Sequence, residues 1–466
     1  MSLDLVLTNG QVFIDGDFRS CCIGVKDGKI AAICEERYAP EAREVIDLKG
    51  QYVIPGAIDT HTHFRDPGMT DREDFFTGTM TAAAGGTTTV MEHPISSPSA
   101  YSCEVLDNRV RVADPQACVD FAFYGAAGTQ VPGGIASIAD HGIVGYKSFL
   151  HDPPAGRGDD FKNVTMCNDA DMMTGFAEVA KTGHVLMLHC ENNEMITANI
   201  KRMREEGHTK PIDHCRSRPP FTEIECVQKV LSMAKETGLR AGFAHISTPE
   251  AMELVKTAKN NGQDVYLETC THYLFLDETY LEKFGAIAKC NPPLRPRETV
   301  ESLWKYANDG SIDFIGSDHG GFTLAEKAKG KEDIFSAPSG FVGIDLRLPM
   351  MLDAVAKGRI SIRRVVEMLC SNPAKIFGLV QKGSIRVGAD ADLVVYNLDE
   401  KTVYDMNKCY SKSKDLMVMY DGLELSCKLA YTFVRGRKVM ENGVVDPACR
   451  GWGHHIAQTK RGEAVK

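Results

Sequence analysis

Residues 53–63 read VIPGAIDTHTH, an apolar run that ends in two histidines, His61 and His63, on either side of one threonine. Side chains of an extended strand repeat every second residue, so both imidazoles project to the same side. Two neutral imidazoles at the end of a buried strand form half of a site for a dication such as zinc. Two hydrogen-bonded core histidines would give the same pattern. The two interpretations can be distinguished only by whether later strands supply further metal ligands.

Seven further apolar segments follow, at spacings that leave room for helices. The eight strand candidates are 52–59, 87–92, 118–125, 143–149, 184–190, 240–246, 264–270 and 312–318. Helices are predicted at 75–84, 169–181, 224–237 and 249–260. Eight strand–helix alternations predict an α/β fold, a TIM-like (β/α)8 barrel, in which chemistry collects at the C-terminal ends of the strands.

The two ends of the chain differ from this middle. Short strand-like segments with turn signals occur before residue 50 and return after residue 388, which predicts one small β-sandwich domain built from both termini. The expected division is a composite β domain of residues 1–54 and 378–450, a barrel of residues 55–377 and a C-terminal tail of residues 451–466. His454 and His455 in that tail fit a solvated pair better than a metal site.

Composition restricts the function classes. Charged residues make up 25% and hydrophobic residues 43%, and the net charge of -10 argues against nucleic-acid or anionic-membrane partners. The N-terminus shows no secretory signal, and no apolar stretch approaches the roughly 20 residues of a membrane span. The fifteen cysteines are scattered without a CxxC pair. They fit buried free thiols in a reducing compartment, which predicts a cytoplasmic protein.

Polar residues lie at or near the ends of five of the predicted barrel strands. They are His61, His63, Lys147, His189, His245 and Asp318. Each alone has an ordinary structural explanation, but together at one rim they favour a metal site.

Lys147 interrupts the apolar run 143–149. An ammonium group beside two dications is disfavoured, so the neutral amine predominates there. A neutral amine can add carbon dioxide to become a carbamate, whose two oxygens can bridge two metal ions. We therefore hypothesise from the sequence that Lys147 is carboxylated.

With these residues the chain resembles the amidohydrolase superfamily, in its cyclic amidase branch of dihydropyrimidinases (hydantoinases), allantoinases and dihydroorotases. The resemblance covers essentially the whole chain and is carried by DTHTHFRDPG (59–68), GYKSFL (145–150), LHCEN (188–192), AHIST (244–248), NPPLR (291–295) and GSDH (316–319). It implies that one metal ion is bound by His61, His63 and Asp318, the other by His189 and His245, and that carboxylated Lys147 bridges them.

The resemblance implies hydrolytic opening of a cyclic amide or imide at a C–N bond. Zn²⁺ is the expected metal, although the donors also suit manganese or cobalt. Two metal ions would lower the pKa of water toward ~7 and polarise a carbonyl. Asp318 is the expected general base and then general acid, taking the proton of the water and returning it to the leaving nitrogen. The family also implies a homodimer or homotetramer with a small-molecule substrate.

The residues expected to contact the substrate resemble more than one group of cyclic amidases. Pro338-Ser339-Gly340 stands where hydantoinases have Pro-Asn-Gly, whose backbone grips the cyclic amide, and Asn291-Pro292-Pro293 is its expected partner. Ser339 and Asn291 are therefore expected to bind substrate. Hydantoinases place a tyrosine five residues after the bridging lysine, whereas this chain has Asp152. Allantoinases lack that tyrosine too, and Tyr124, Asp152 or Phe161 are further candidates for the pocket wall.

Arg65 resembles the arginine with which dihydroorotases hold a substrate carboxylate, so a dihydroorotase-like activity on a carboxylated ring is the alternative. Dihydroorotases add an asparagine from a Met-Pro-Asn-Thr turn, but residues 91–94 here are Met-Glu-His-Pro. An ion pair of Arg65 with Asp66 or Asp71 explains the arginine equally well. Glu92-His93 is unusual for all three groups and is either a structural pair or a polar wall.

A different class is a non-catalytic assembly protein related to dihydropyrimidinases. Such relatives have lost metal ligands, and the retention of all six ligand types in this chain argues against that class.

Overall fold

The computed structural model describes residues 2–153 and 157–459. The chain starts with five strands of an outer sheet: β1 (Leu3–Ile14), β2 (Asp17–Lys26), β3 (Lys29–Cys34), β4 (Ala42–Asp47) and β5 (Tyr52–Pro55). Asp15 and Gly16 join β1 to β2, and both have positive φ, as the centre of a two-residue hairpin turn requires.

Eight parallel strands then form the central barrel: β6 (Ala57–Thr62), β7 (Thr87–Glu92), β8 (Asp120–Ala126), β9 (Ile143–Phe149), β10 (Val185–His189), β11 (Arg240–Phe243), β12 (Val265–Cys270) and β13 (Phe314–Gly316). Each strand is hydrogen-bonded to the next in sequence. Thr62 also pairs with His319 beyond β13, which brings the first and last segments together. The predicted (β/α)8 barrel is confirmed.

Helices fill the connections. They are α1 (Phe75–Ala84), α2 (Cys103–Ala113), α3 (Gly134–Ile138), α4 (Asp169–Thr182), α5 (Asn193–Glu205), α6 (Asp213–Ser217), α7 (Pro220–Thr237), α8 (Pro249–Asn260), α9 (Thr271–Phe275), α10 (Thr279–Phe284), α11 (Arg297–Asn308), α12 (Leu324–Ala328), α13 (Ile344–Ala356), α14 (Ile362–Val366) and α15 (Asn372–Ile376). The Asp74 side chain accepts a hydrogen bond from the Thr77 amide and caps α1. Helix α7 starts four residues before the predicted 224, because Pro220 suits a first helical turn.

The outer sheet is completed from the other end of the chain by β14 (Leu393–Asn397), β17 (Lys428–Val434), β18 (Arg437–Glu441) and β19 (Val444–Val445), while β15 (Thr402–Val403) and β16 (Glu424–Leu425) pair separately. β14 lies antiparallel to β5, which joins the two halves. Leu5 and Val12 share one apolar core with Leu393 and Phe433. The composite β domain predicted from both termini is thus confirmed.

The prediction of one strand over 52–59 is wrong in one respect, because the chain changes sheets at Gly56. β5 belongs to the outer sheet and β6 to the barrel. A side chain at Gly56 would place its Cβ 2.2 Å from Thr88 Oγ1, so the chain approaches β7 there too closely for a larger residue to fit without a shift. His61 lies on β6, and His63 follows its end.

The described part of the tail lies against the barrel. The Phe121 amide donates to the His454 carbonyl, and the Ile456 amide donates to the Phe121 carbonyl. His454 is exposed, as expected for a solvated residue. His455 differs from that expectation, because its ring lies 5.7 Å from the ring of Phe121 and 5.6 Å from that of Phe123.

The interior contains most of the cysteines. All fifteen are free thiols, and most are buried, as predicted. Among the described helices, none has both the length and the apolar character needed to cross a membrane.

Candidate active site

The C-terminal ends of the barrel strands surround a cavity of about 330 Å³. Most of the residues predicted for the site line it together: His61, His63, Arg65, His189, His245, Asn291, Asp318 and Ser339. Lys147 lies in β9, fully buried between β8 and β10.

His61, His63 and Asp318 form the first donor group. The Nε2 atoms of both histidines lie 3.2 Å from Asp318 Oδ1. Burial lowers the pKa of His63 to about 3, so this imidazole is neutral. Burial alone would raise the pKa of Asp318, but the adjacent His61 and His63 hold it well below its ordinary value. The group therefore presents two imidazoles and one carboxylate that converge on a common point.

His189 and His245 form the second donor group. His189 Nδ1 and His245 Nε2 are 3.1 Å apart, and burial lowers the pKa of both rings. The other nitrogen of His189, Nε2, lies 2.9 Å from Glu191, whose carboxylate is also paired with Arg218. Neutral imidazoles that are oriented by a carboxylate on the far nitrogen are typical metal ligands.

Lys147 is 0% exposed, and its Nζ has no hydrogen-bond partner among the described residues. The amine lies 4.9 Å from the centre of the Phe149 ring. Burial lowers the pKa of Lys147 to about 8 despite the nearby carboxylates of Glu268 and Asp318. A buried amine without a partner is costly. It fits a group that is carboxylated and bound to metal ions.

Glu268 on β12 organises both donor groups. Its Oε1 atom lies 2.6 Å from His61 Nδ1 and accepts the backbone amide of His245 at 3.1 Å. This contact leaves His61 Nε2 as the nitrogen that faces Asp318. The role of Glu268 was not predicted; its only signal in the sequence is a carboxylate inside a buried strand.

Glu92 and His93 are a structural pair rather than a polar wall. Glu92 accepts hydrogen bonds from Thr62 Oγ1 and the backbone amides of Phe64 and Arg65, at 2.8–3.0 Å. The Arg109 guanidinium lies 3.5 Å from the same carboxylate, and both side chains are 0% exposed. Glu92 thereby fixes the chain just after His61 and His63.

The His93 ring is stacked on that of His61, with centroids 3.8 Å apart and planes 9° apart. Donor atoms of His61, His63 and His93 lie within 4.8 Å of one another. Lone pairs of imidazole nitrogens lie in the ring plane, so two parallel stacked rings cannot direct theirs at one ion. His93 therefore supports His61 instead of adding a ligand.

Asn291 and Ser339 meet at the cavity, where Ser339 Oγ donates to Asn291 Oδ1 at 3.1 Å. Two buried lysines hold the surrounding loops by their carbonyls. Lys289 Nζ donates to the Ile334 carbonyl at 2.8 Å, and Lys327 Nζ donates to the Gly340 carbonyl at 2.9 Å. Burial lowers the pKa of each lysine to about 7. Sequence patterns gave no signal for either lysine.

Arg65 lines the cavity and makes no ion pair with Asp66 or Asp71 in the described chain. Its Nη1 donates to the Gly321 carbonyl at 2.9 Å, and its guanidinium lies 4.5 Å from the centre of the Phe322 ring. Arg157 lines the same cavity and was not predicted from the sequence. The explanation of Arg65 as part of a local ion pair is thus wrong.

Asp152, at the position of the hydantoinase tyrosine, does not line this cavity. It lines a neighbouring one and lies 3.4 Å from the Asn193 side-chain amide. Its neighbour His151 lines the active-site cavity instead, together with Phe161. Tyr124 does not, since its hydroxyl donates to the Thr60 carbonyl. His151 was missed because a loop has no period that shows which residue faces inward.

Comparisons with known proteins agree with this site. A sequence model described as the amidohydrolase family matches residues 52–439. L-hydantoinase of Paenarthrobacter aurescens is 36% identical over 448 residues, 95% of each chain. Allantoinase of Bacillus licheniformis is 33% identical over 452 residues, 95% of this chain and 97% of that one. The solved structure of L-hydantoinase (dihydropyrimidinase) from Arthrobacter aurescens superposes with a TM-score of 0.91 at 34% identity, covering 98% of this chain and 100% of that one. The chain therefore belongs to the amidohydrolase family, in the cyclic amidase branch that contains hydantoinases and allantoinases.

Proposed function

We propose that this protein is a hydrolase that opens an uncharged cyclic amide or imide ring at a C–N bond, with two divalent metal ions at the barrel rim. One observation carries the proposal: two groups of imidazoles, one with a carboxylate, flank the amine of Lys147 at the mouth of the barrel, and this amine has no hydrogen-bond partner among the described residues. Parallel β/α barrels place their catalytic groups at this end of the strands.

In this proposal His61, His63 and Asp318 would hold one ion, His189 and His245 would hold the other, and carboxylated Lys147 would be an anionic ligand to both. Zn²⁺ suits the imidazole-rich donor set. Bound divalent ions would supply Lewis acidity, which lowers the pKa of water and polarises a carbonyl.

Asp318 is the proposed general base and acid. Its low pKa keeps the carboxylate ionised near neutral pH, so it can accept a proton from the attacking water. The same carboxylate then returns that proton to the ring nitrogen as the C–N bond breaks. Asn291 and Ser339, held against each other by a hydrogen bond, contact the ring from the facing loops.

The named relatives indicate which rings to test. An L-hydantoinase and an allantoinase both align over 95% of this chain, which favours hydantoins, dihydropyrimidines and allantoin. A dihydroorotase-like activity is the second candidate, because Arg65 and Arg157 both line the cavity and offer cations to a carboxylated ring.

The test is ring opening by zinc-loaded protein, with hydantoin, dihydrouracil, allantoin and dihydroorotate measured side by side. Turnover of one of the three uncharged rings supports the main proposal. Preference for dihydroorotate favours the second candidate. Absence of turnover with all four, in protein that contains two metal ions, would mean that the substrate is a ring other than these four. Absence of bound metal would favour a non-catalytic assembly protein related to dihydropyrimidinases.

Asp318→Asn should abolish turnover, because an amide cannot take up the proton of the water. Its circular dichroism and unfolding midpoint should stay close to those of the parent protein. Substantial remaining activity would exclude Asp318 as the general base.

A further inference from the structure

His151 is a polar residue of the active-site cavity that has no role in the mechanism above. It follows β9 by two residues and lies beside the second donor group: its ring centre is 5.6 Å from that of His189, at an interplanar angle of 89°. The rings of Phe149 and Phe161 lie 5.3 and 6.1 Å away. Three aromatic rings, those of Phe149, Phe161 and His189, therefore lie near this imidazole.

The hydrogen bonding of His151 determines which of its ring nitrogens carries the proton. Nδ1 lies 2.7 Å from the backbone carbonyl of Asp152, and a carbonyl oxygen can only accept. The proton of the neutral ring is therefore on Nδ1, and Nε2 has the free lone pair. His151 thus offers the cavity a hydrogen-bond acceptor.

The charged side chains that line this cavity are mostly hydrogen-bond donors, and the amide oxygen of Asn291 already accepts from Ser339. Of the charged side chains that the described residues contribute to its lining, Arg65, Arg157, Arg218 and Lys289 are donors. Asp318 is the one carboxylate in that set, and it already contacts two histidines. A cyclic amide carries ring N–H groups as well as carbonyls, so an N–H that enters the site needs an acceptor or loses a hydrogen bond on binding.

We propose that His151 is a substrate-binding residue whose Nε2 accepts the hydrogen of a ring N–H, so that the enzyme selects rings with an unsubstituted nitrogen at that position. This inference rests on the proposed function and specifies its substrate class: cyclic ureides and imides rather than N-alkylated rings. The hydrogen bond has the opposite direction to the one that a tyrosine hydroxyl would donate from the next position in the chain.

The experiment pairs a substrate change with a residue change. The ring that the parent protein opens fastest is compared with its analogues methylated at each ring nitrogen in turn. For one position, methylation should lower kcat/KM about tenfold in the parent, mainly through KM, as expected for one hydrogen bond of ~1.4 kcal/mol. His151→Phe fills the same space without an acceptor, so it should lose about tenfold on the parent ring and show no further loss on that analogue.

Two further variants make the test specific. His151→Gln places an amide oxygen near Nε2 and should restore part of the preference for the N–H ring. Phe161→Leu alters a neighbouring wall without an acceptor and should keep the full methylation penalty. The metal content of His151→Phe should equal that of the parent.

The inference is overturned if the methylation penalty is the same in His151→Phe and the parent, although the proposed function then stands. It is also overturned if His151→Phe loses its metal ions, since the residue would then act through His189. If the parent protein opens no ring at all, the proposed function fails first, and the inference fails with it.

Discussion

At the scale of single residues, Lys147 is the side chain that its surroundings tolerate least as a free ammonium. It is completely enclosed and has no hydrogen-bond partner among the described residues. Burial lowers its pKa to about 8, so the neutral and reactive amine becomes more abundant as the pH rises through that value. Reaction with carbon dioxide would convert the amine into an anion that two cations can neutralise.

We therefore expect native mass spectra of metal-loaded protein to show the added mass of one carbon dioxide, which acid treatment removes. Lys147→Met should lack this mass and should lose most of its bound metal. Lys181→Met, at an exposed position on α4, is the matched control and should retain both. An unmodified Lys147 in fully metal-loaded protein would exclude the carbamate.

His93 acts on the site through its stack with His61. Neighbours that orient a metal-binding histidine typically contribute 10–100-fold in metal affinity. His93→Leu should therefore weaken zinc binding by roughly tenfold or more, measured by competition with a chromophoric chelator. His93→Phe retains a flat ring and should bind zinc nearly as tightly as the parent. Equal zinc affinity in the Leu variant and the parent would show that the stack is irrelevant to the site.

At the scale of elements, Gly56 allows β5 and β6 to belong to different sheets. A Cβ at this position would lie 2.2 Å from Thr88 Oγ1 and 2.5 Å from Thr88 Cγ2. Gly56→Ala should destabilise the protein by about 1–3 kcal/mol, as overpacking of a rigid interior does. Gly158→Ala, where a Cβ meets nothing within 4 Å, should change the midpoint of chemical unfolding very little. A neutral Gly56→Ala would mean that β7 moves aside easily.

The junction at Gly56 shows which features of the fold sequence patterns can predict and which they cannot. Buried parallel strands are continuous apolar runs, so seven of the eight barrel strands were predictable to within three residues. The change of sheet at Gly56 was not, since apolar character is unbroken from Val53 to Ile58. Candidate ligands at strand ends were predictable because barrel geometry brings those ends together.

Some of the residues that contribute to the site were not predictable. His151 and Asp152 are neighbours that face different cavities, and only the backbone path after β9 decides which one lines the active site. Glu268 and Glu92 act through buried hydrogen bonds to other strands, contacts that have no trace in local sequence.

At the scale of the whole molecule, several expectations stay predictions. They are the division into a barrel of residues 55–377 and a β domain of residues 1–54 and 378–450, the homodimeric or homotetrameric state, and the cytoplasmic location. Light scattering would settle the oligomeric state, and limited proteolysis would test the division into domains.

The barrel and the outer sheet are joined by a buried cluster of charges around Lys382. Its ammonium group contacts Asp120, the first residue of β8, and lies 2.9 and 2.7 Å from Asp390 and Asp392, which precede β14. Arg435, which follows β17, also contacts Asp120. Three carboxylates so close together resemble a cation site, and Lys382 supplies the cation.

Lys382→Met should therefore be among the most damaging single changes outside the active site. It leaves three buried carboxylates short of one positive charge, and loss of one partner from a buried ion pair typically costs about 3–5 kcal/mol. Lys428→Met is the control, because its ion pair with Glu400 is exposed and such pairs contribute about 0–1 kcal/mol. Chemical unfolding followed by circular dichroism measures both. If Lys382→Met unfolds at the same denaturant concentration as Lys428→Met, the charge cluster does not hold the barrel and the outer sheet together.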